Sequence, residues 1–337
     1  MISTEHRWEY ARGSVSPRER MSAESTPEAT RTSKTAPSRS ASPTDASIAF
    51  EDVTYRVHST PPDARNATVL ANTPGHVEVG TTDEQEHAGL RALVRNITLT
   101  IARGETVVLL GRSGSGKTTL LRLINRMLEP SSGRVLVNGR STIDWNPFAL
   151  RRSIGYVIQE AGLFPHFTVA ENIALVPQLE KWEASRIAAR VAALLQLVGL
   201  GGGDFATRYP RQLSGGQRQR VGVARALAAD PQILLMDEPF GALDPVTRAE
   251  LQREFAALAK RLAKTMVFVT HDLREALLLA TRIVLLQDGR IVACDTPDKF
   301  LKLEHDEVCA FTESLGEHVP HDPLRITSEI DGVGGPA

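Results

Sequence analysis

Cysteine is nearly absent from this 337-residue sequence: Cys294 and Cys309 are the two present, and they share no C-x-x-C spacing. That excludes a disulfide framework and a cysteine-built zinc site, and the pair reads as structural thiols in a reducing cytosol. Long apolar runs are missing too. No stretch approaches the ~18 residues that a membrane-spanning helix needs, so the chain is not expected to cross a bilayer. Neither sign of charge is in excess, since 39 basic and 40 acidic side chains leave a net charge of -1. Without bulk attraction to a polyanion, no nucleic-acid partner is expected. The N-terminus carries charges from Glu5 onward and lacks the apolar segment of a secretory leader, so export is not expected either. What the chain does have is an ordinary folded composition, 42% apolar and 23% charged, with length for two domains or one large domain with appendages.

Residues 1–47 are rich in Ser, Thr, Pro and Arg with almost no large aliphatics. They cannot bury enough surface to offset the entropy of ordering and read as a disordered tail. Order is expected from Ile48, where Ile-Ala-Phe-Glu-Asp-Val-Thr-Tyr-Arg-Val alternates as a strand does. Pro61-Pro62, Pro74-Gly75 and Gly80 then break the pattern, so residues 59–89 read as a polar surface insertion. Residues 319–337 are weakly patterned and read as a C-terminal tail. Residues 48–318, less the insertion, have the size of one α/β domain with a subdomain.

Continuous apolar runs at Val107–Leu110, Ile233–Met236, Met266–Val269 and Ile283–Leu286 are too short and too β-branched for helices. They predict buried parallel strands. Helix-period stretches at Thr118–Leu128, Arg186–Leu197, Gln217–Ala228 and Val246–Leu262 alternate with them, which predicts a doubly wound α/β sheet. Such sheets bind ligands beyond the carboxyl ends of their strands, where Gly111, Asp237 and His271 fall.

Gly111-Arg-Ser113-Gly114-Ser115-Gly116-Lys117-Thr118, followed by Thr119, fits G-x-x-x-x-G-K-[ST] between an apolar strand and an amphipathic helix. Its glycines let successive backbone N–H groups curl round a phosphate, and the helix N-terminus adds partial positive charge. Lys117 reaches the outer phosphates as a point charge, and Thr118 offers a hydroxyl to Mg2+. Ile233-Leu-Leu-Met236-Asp237-Glu238-Pro239 delivers two carboxylates at a buried strand end. Asp237 is placed to hold Mg2+, and Glu238 to polarise a water for in-line attack on a γ-phosphate. Leu213-Ser214-Gly215-Gly216-Gln217 opens a further helix with a second glycine-rich, anion-ready N-terminus.

With LSGGQ, the phosphate loop and the Asp-Glu strand together, the chain resembles the nucleotide-binding subunits of ATP-binding cassette (ABC) proteins. The resemblance implies a P-loop NTPase of ABC type, a mixed sheet with a RecA-like core plus an α-helical signature subdomain at about residues 160–225. It also implies ATP and Mg2+ as ligands, and a head-to-tail homodimer in which Ser214, Gly215, Gly216 and Gln217 close over ATP held by the other subunit. Gln159, after Ile154-Gly-Tyr-Val-Ile158, matches the family's glutamine loop, which touches Mg2+ and the attacking water and contacts the membrane subunit. Gly241-Ala-Leu243-Asp244 matches the loop that crosses the dimer interface. His271, in Phe268-Val-Thr-His-Asp272, matches the histidine that senses the γ-phosphate. One departure stands out: the family's adenine-stacking aromatic aligns with Val57, and Tyr55 is the nearest aromatic.

The Gly111 to Leu213 separation leaves no room for the coiled-coil arms of ABC-type DNA proteins, and one cassette does not match the tandem translation factors. The chain is similar to importer ATPases that dock on separate membrane permeases at the cytoplasmic face of the membrane. Ile124-Asn-Arg-Met-Leu-Glu-Pro130, Leu150 to His166 and Met236 to Pro245 resemble glycine betaine, carnitine or choline uptake ATPases, which a solute-binding protein serves indirectly. An importer of another solute, or a soluble ABC switch without transport, would share the same motifs. Leu163-Phe-Pro-His-Phe167 is expected either to line the groove for a permease helix or to belong to the subdomain core, with His166 structural.

Overall fold

A computed structural model describes residues 46–58, 90–313 and 315. The expected insertion at 59–89, the tail at 319–337 and all but two residues of the tail at 1–47 lie outside the described residues. Those two, Ala46 and Ser47, already belong to the first strand, because Ala46 pairs with Ala102 and Ser47 is buried. The first strand therefore begins ahead of Ile48.

Two sheets organise the described residues. Strands β1 (Ala46–His58), β2 (Leu90–Ala102), β4 (Ser132–Val137) and β5 (Arg140–Ser141) form an antiparallel sheet in the order β2-β1-β4-β5. The second sheet contains β3 (Thr106–Leu110), β6 (Ile154–Val157), β7 (Ile233–Asp237), β8 (Thr265–Thr270), β9 (Arg282–Gln287) and β10 (Arg290–Asp295). Its order is β10-β9-β3-β8-β7-β6, parallel throughout except for β10. The four apolar runs read as strands are β3, β7, β8 and β9. They lack polar alternation because both faces are covered. Val107, Leu109, Leu235 and Val267 point into one apolar cluster, shared with the antiparallel sheet and helix α1 (Lys117–Ile124). Val108, Leu110, Met236 and Phe268 point into the other, shared with the remaining large helices.

Helix α1 is shorter than the periodicity to Leu128 predicts. Asn125 closes it, Arg126 takes a left-handed φ of 53°, and the N–H groups of Met127 and Leu128 turn back to Arg122 O. After the short α2 (Pro147–Ser153) and β6 comes a helical layer of α3 (Val169–Leu179), α4 (Ala184–Leu197) and α5 (Gly215–Leu227). Thr168 and Glu171 form a capping box at the start of α3, and Ser214 with Gln217 does the same for α5. Helix α6 (Pro245–Leu262) is capped by Asp244 with proline at its first position. Helices α7 (Leu273–Leu279), α8 (Pro297–Phe300) and α9 (Asp306–Glu313) are the last helices among the described residues. No helix among the described residues is long and apolar enough to cross a membrane.

Candidate functional site

The carboxyl ends of β3, β7 and β8 lie side by side, with Leu110 paired to Thr270 and Asp237 to Val269. Sheet topology alone thus gathers Gly111, Asp237, Glu238 and His271, which lie far apart in sequence. The loop after β3 can hold its shape only with glycine at two points. A Cβ on Gly111 would stand 2.4 Å from Leu286 O, and one on Gly116 would stand 2.7 Å from Leu93 O at a φ of +98°. β2 and β9 therefore press the loop into place from outside. Ser113, Gly114, Gly116, Lys117, Thr118 and Thr119 line a hollow of about 190 Å³ closed on one side by Glu238.

Lys117 is buried, and its Nζ donates to Gly111 O at 2.7 Å and Arg112 O at 2.8 Å. Burial lowers its pKa, while the carboxylates of Glu238 and Asp237 act in the opposite direction. Ser115 Oγ is buried inside the loop with no protein partner. An orphaned hydroxyl and a buried ammonium at a helix N-terminus suit a phosphate chain. Thr118 Oγ1 donates to Asp237 Oδ1 at 2.8 Å, and Tyr156 O–H reaches Asp237 Oδ2 at 3.4 Å. Burial raises the Asp237 pKa, opposed first by the Thr118 hydrogen bond. Tyr156 is pushed up to about 12, by burial first and by Asp237 next. A hydroxyl beside a partly desolvated carboxylate is an oxygen donor set that fits Mg2+.

Glu238 takes a left-handed φ of 44°, a conformation that costs a residue with a Cβ about 1–2 kcal/mol. Its N–H donates to Val269 O, and its Oε2 lies 3.4 Å from His271 Nδ1. A water beside Glu238 would face the outer end of the phosphate hollow. A second hollow of about 620 Å³ begins there, lined by Arg112, Ser113, Glu238, His271 and helix α9. Gln159 approaches from the turn after β6: its Nε2 and Glu238 Oε2 each lie 3.7 Å from the point where a Gly241 Cβ would sit. Glu160, Ala161 and Gly162 follow it with three successive left-handed φ values, and Arg225 holds that turn through the carbonyls of Ala161 and Gly162.

The signature residues are not part of this assembly. Ser214, Gly215, Gly216 and Gln217 line neither hollow; they lie against the start of α6, where a Gly216 Cβ would meet Thr247 Cγ2 at 2.7 Å. Asp244 caps α6 by accepting Thr247 N–H at 3.0 Å, which holds its carboxyl below the usual range. Tyr55 packs against the apolar cluster shared by the antiparallel sheet and α1, and Val57 is half-buried. Three features have no counterpart in the sequence motifs. Tyr156 beside Asp237 carries no motif of its own. The Arg112–Glu307 ion pair at 2.7 Å joins the phosphate loop to α9 across almost the whole domain. The left-handed Glu238 has no sequence signal at all.

Residues 94–241 match the ABC transporter family, and the chain belongs to that family, carrying its ATP-binding domain. Within it, the chain is 52% identical over 209 residues to the glycine betaine uptake system ATP-binding protein YehX of Escherichia coli, covering 62% of this chain and 68% of YehX. It is 53% identical to the choline transport ATP-binding protein OpuBA of Bacillus subtilis, covering 66% of this chain and 58% of OpuBA. The chain thus spans little more than half the length of OpuBA. Among solved structures it is similar to a dimeric post-hydrolysis state of the ATP-binding cassette MJ0796 bound to ADP and Pi. That match has 31% identity and a TM-score of 0.59, covering 74% of this chain and 98% of that one.

Proposed function

We propose that this chain is the ATP-hydrolysing subunit of an ABC importer for glycine betaine or another quaternary amine, working at the cytoplasmic face of the membrane. The observation that carries the reading is that Lys117, Thr118 and Glu238 line one hollow at the strand ends, with Asp237 hydrogen-bonded to Thr118 and His271 beside Glu238 in the adjoining hollow. Similarity to YehX and OpuBA supports the solute class. When bound, Mg2+ and ATP supply an electrophilic phosphorus with its charge neutralised for transfer to water. The N–H groups of residues 111–117 and the Lys117 ammonium hold the phosphate chain. Thr118 Oγ1, Asp237 and Gln159 would hold Mg2+. Glu238 takes the proton of the attacking water, and His271 holds the γ-phosphate oxygen and keeps Glu238 turned inward.

Ser214, Gly215, Gly216 and Gln217 line neither hollow of their own chain, which supports their use on the ATP of a second copy in a head-to-tail homodimer, with Asp244 at the seam. The similar cassette MJ0796 is dimeric in its ADP- and Pi-bound state, which supports the same pairing. A permease helix would dock in the groove of about 330 Å³ between Met127, Tyr156, Ile158, Phe164 and Val176. Met127 and Phe164 stand 51% and 40% exposed there, more than core packing would leave uncovered.

Reconstitution with the partner permease in vesicles tests this reading. ATP hydrolysis is expected to rise when a solute-binding protein delivers glycine betaine. Hydrolysis unaffected by any quaternary amine would remove the solute class and leave the ATPase standing.

A further inference from the structure

A carboxyl group with no part in the site just described is buried directly behind it. Glu275, in the first turn of α7, is 5% exposed. Its Oε2 accepts from Thr270 Oγ1 at 2.5 Å and its Oε1 from Gln252 Nε2 at 2.7 Å. Thr270 Oγ1 also accepts the Asp272 N–H at 3.0 Å. The residues on both sides of His271 are therefore tied, directly or through one hydroxyl, to the same carboxyl.

The other end of the connection leads to the Asp244 loop. Gln252 sits one helical turn beyond Arg248 on α6, and Arg248 Nη2 donates to Gly241 O at 3.3 Å and Leu243 O at 3.0 Å. Asp244 caps that same helix. Burial raises the Glu275 pKa, Asp272 adds to the shift, and Thr270, Gln252 and Arg248 oppose it. Holding a carboxyl here costs desolvation, set against the two hydrogen bonds by which it joins the end of β8 to α6.

We propose that Glu275 is a positioning residue that fastens the His271 loop to α6, and through it to the Gly241–Asp244 loop, so that the two loops move as one rigid piece. It lines neither hollow and acts through His271. A histidine left free to swing would lose its alignment with Glu238 while phosphate binding at the loop after β3 stayed intact. The inference rests on the ATP-hydrolysis reading, and the following experiment separates the two.

Steady-state ATPase kinetics are measured on the full chain and three variants, with thermal melting as a control. Glu275→Leu fills the volume but strands the Thr270 hydroxyl and the Gln252 amide; kcat is expected to fall ~10-fold or more with KM for ATP nearly unchanged. Glu275→Gln preserves both hydrogen bonds once the Gln252 amide turns over, and should restore most of kcat. Gln252→Ala cuts the connection from the half-buried side and should show a smaller, equally kcat-selective loss, which decides the matter if Glu275→Leu does not fold. Wild-type turnover with unchanged kcat in Gln252→Ala and in any folded Glu275→Leu, or losses shared by KM, would overturn the role of Glu275. Absence of turnover in the wild type would instead overturn the hydrolase reading.

Discussion

Thr118 Oγ1 donates to Asp237 Oδ1 at 2.8 Å, which fastens the first turn of α1 to the end of β7 across a sequence separation of 119 residues. The two groups that fit Mg2+ thus hold each other, and the donor set is oriented in advance by the fold. Pre-ordering of this kind reduces what binding must later fix.

The raised pKa of Asp237 makes its charge a burden on the fold. A carboxyl that binds its proton more tightly when folded contributes its stability in full below the ordinary Asp value of 3.8, and loses it as pH rises through the higher folded value. Asp237→Asn removes the titration and keeps an acceptor for Thr118. Without Mg2+ and nucleotide, the variant should melt above the wild type, by a margin that widens from acid to neutral pH, while its Mg2+-dependent ATP hydrolysis is lost. Calorimetry across pH checks the first part. A margin that stays constant with pH would contradict the electrostatic account.

Gly116→Ala sets a Cβ against Leu93 O in a backbone conformation with φ +98°. A loss of about 1–3 kcal/mol in unfolding free energy is expected, with nucleotide affinity reduced because the loop must shift. Urea unfolding and fluorescent-nucleotide titration measure the two effects separately.

Asn172 is fully buried in α3, accepts Phe164 N–H at 2.8 Å and donates to the carbonyls of Phe164, Phe167 and Thr168. Asn172→Leu leaves that N–H unsatisfied and should cost about 1–3 kcal/mol. Because these bonds shape the Phe164 rim of the apolar groove, permease-stimulated hydrolysis should fall further than hydrolysis by the isolated chain. Equal losses in both assays would mean that the segment has no special part in docking.

Most of the sheet and the phosphate hollow could be read from the residues. Val107–Leu110 and its counterparts are apolar on both faces, and the loop after Gly111 sits between a strand and a helix, so pattern and context agree. Tyr156, Glu275 and Glu307 could not be read this way. Tyr156 meets Asp237 only after β6 and β7 align, Glu275 meets Gln252 only when α7 packs beside α6, and Glu307 meets Arg112 only when α9 returns to the phosphate loop. The start of β1 at Ala46 was hidden because Ala46 and Ser47 continue the small, polar composition of the sequence before them. Its pairing with Ala102, a long-range contact, sets that boundary.

Glu238 carries the central claim, and arrest of its variant is the most direct test. Glu238→Gln keeps the side chain's shape and removes the base. With Mg2+ and ATP it should run as a stable dimer by light scattering, retain two ATP per dimer, and hydrolyse at least ~100-fold more slowly than the wild type. Wild-type turnover in Glu238→Gln, or an ATP-loaded monomer, would contradict both the assigned base and the paired architecture.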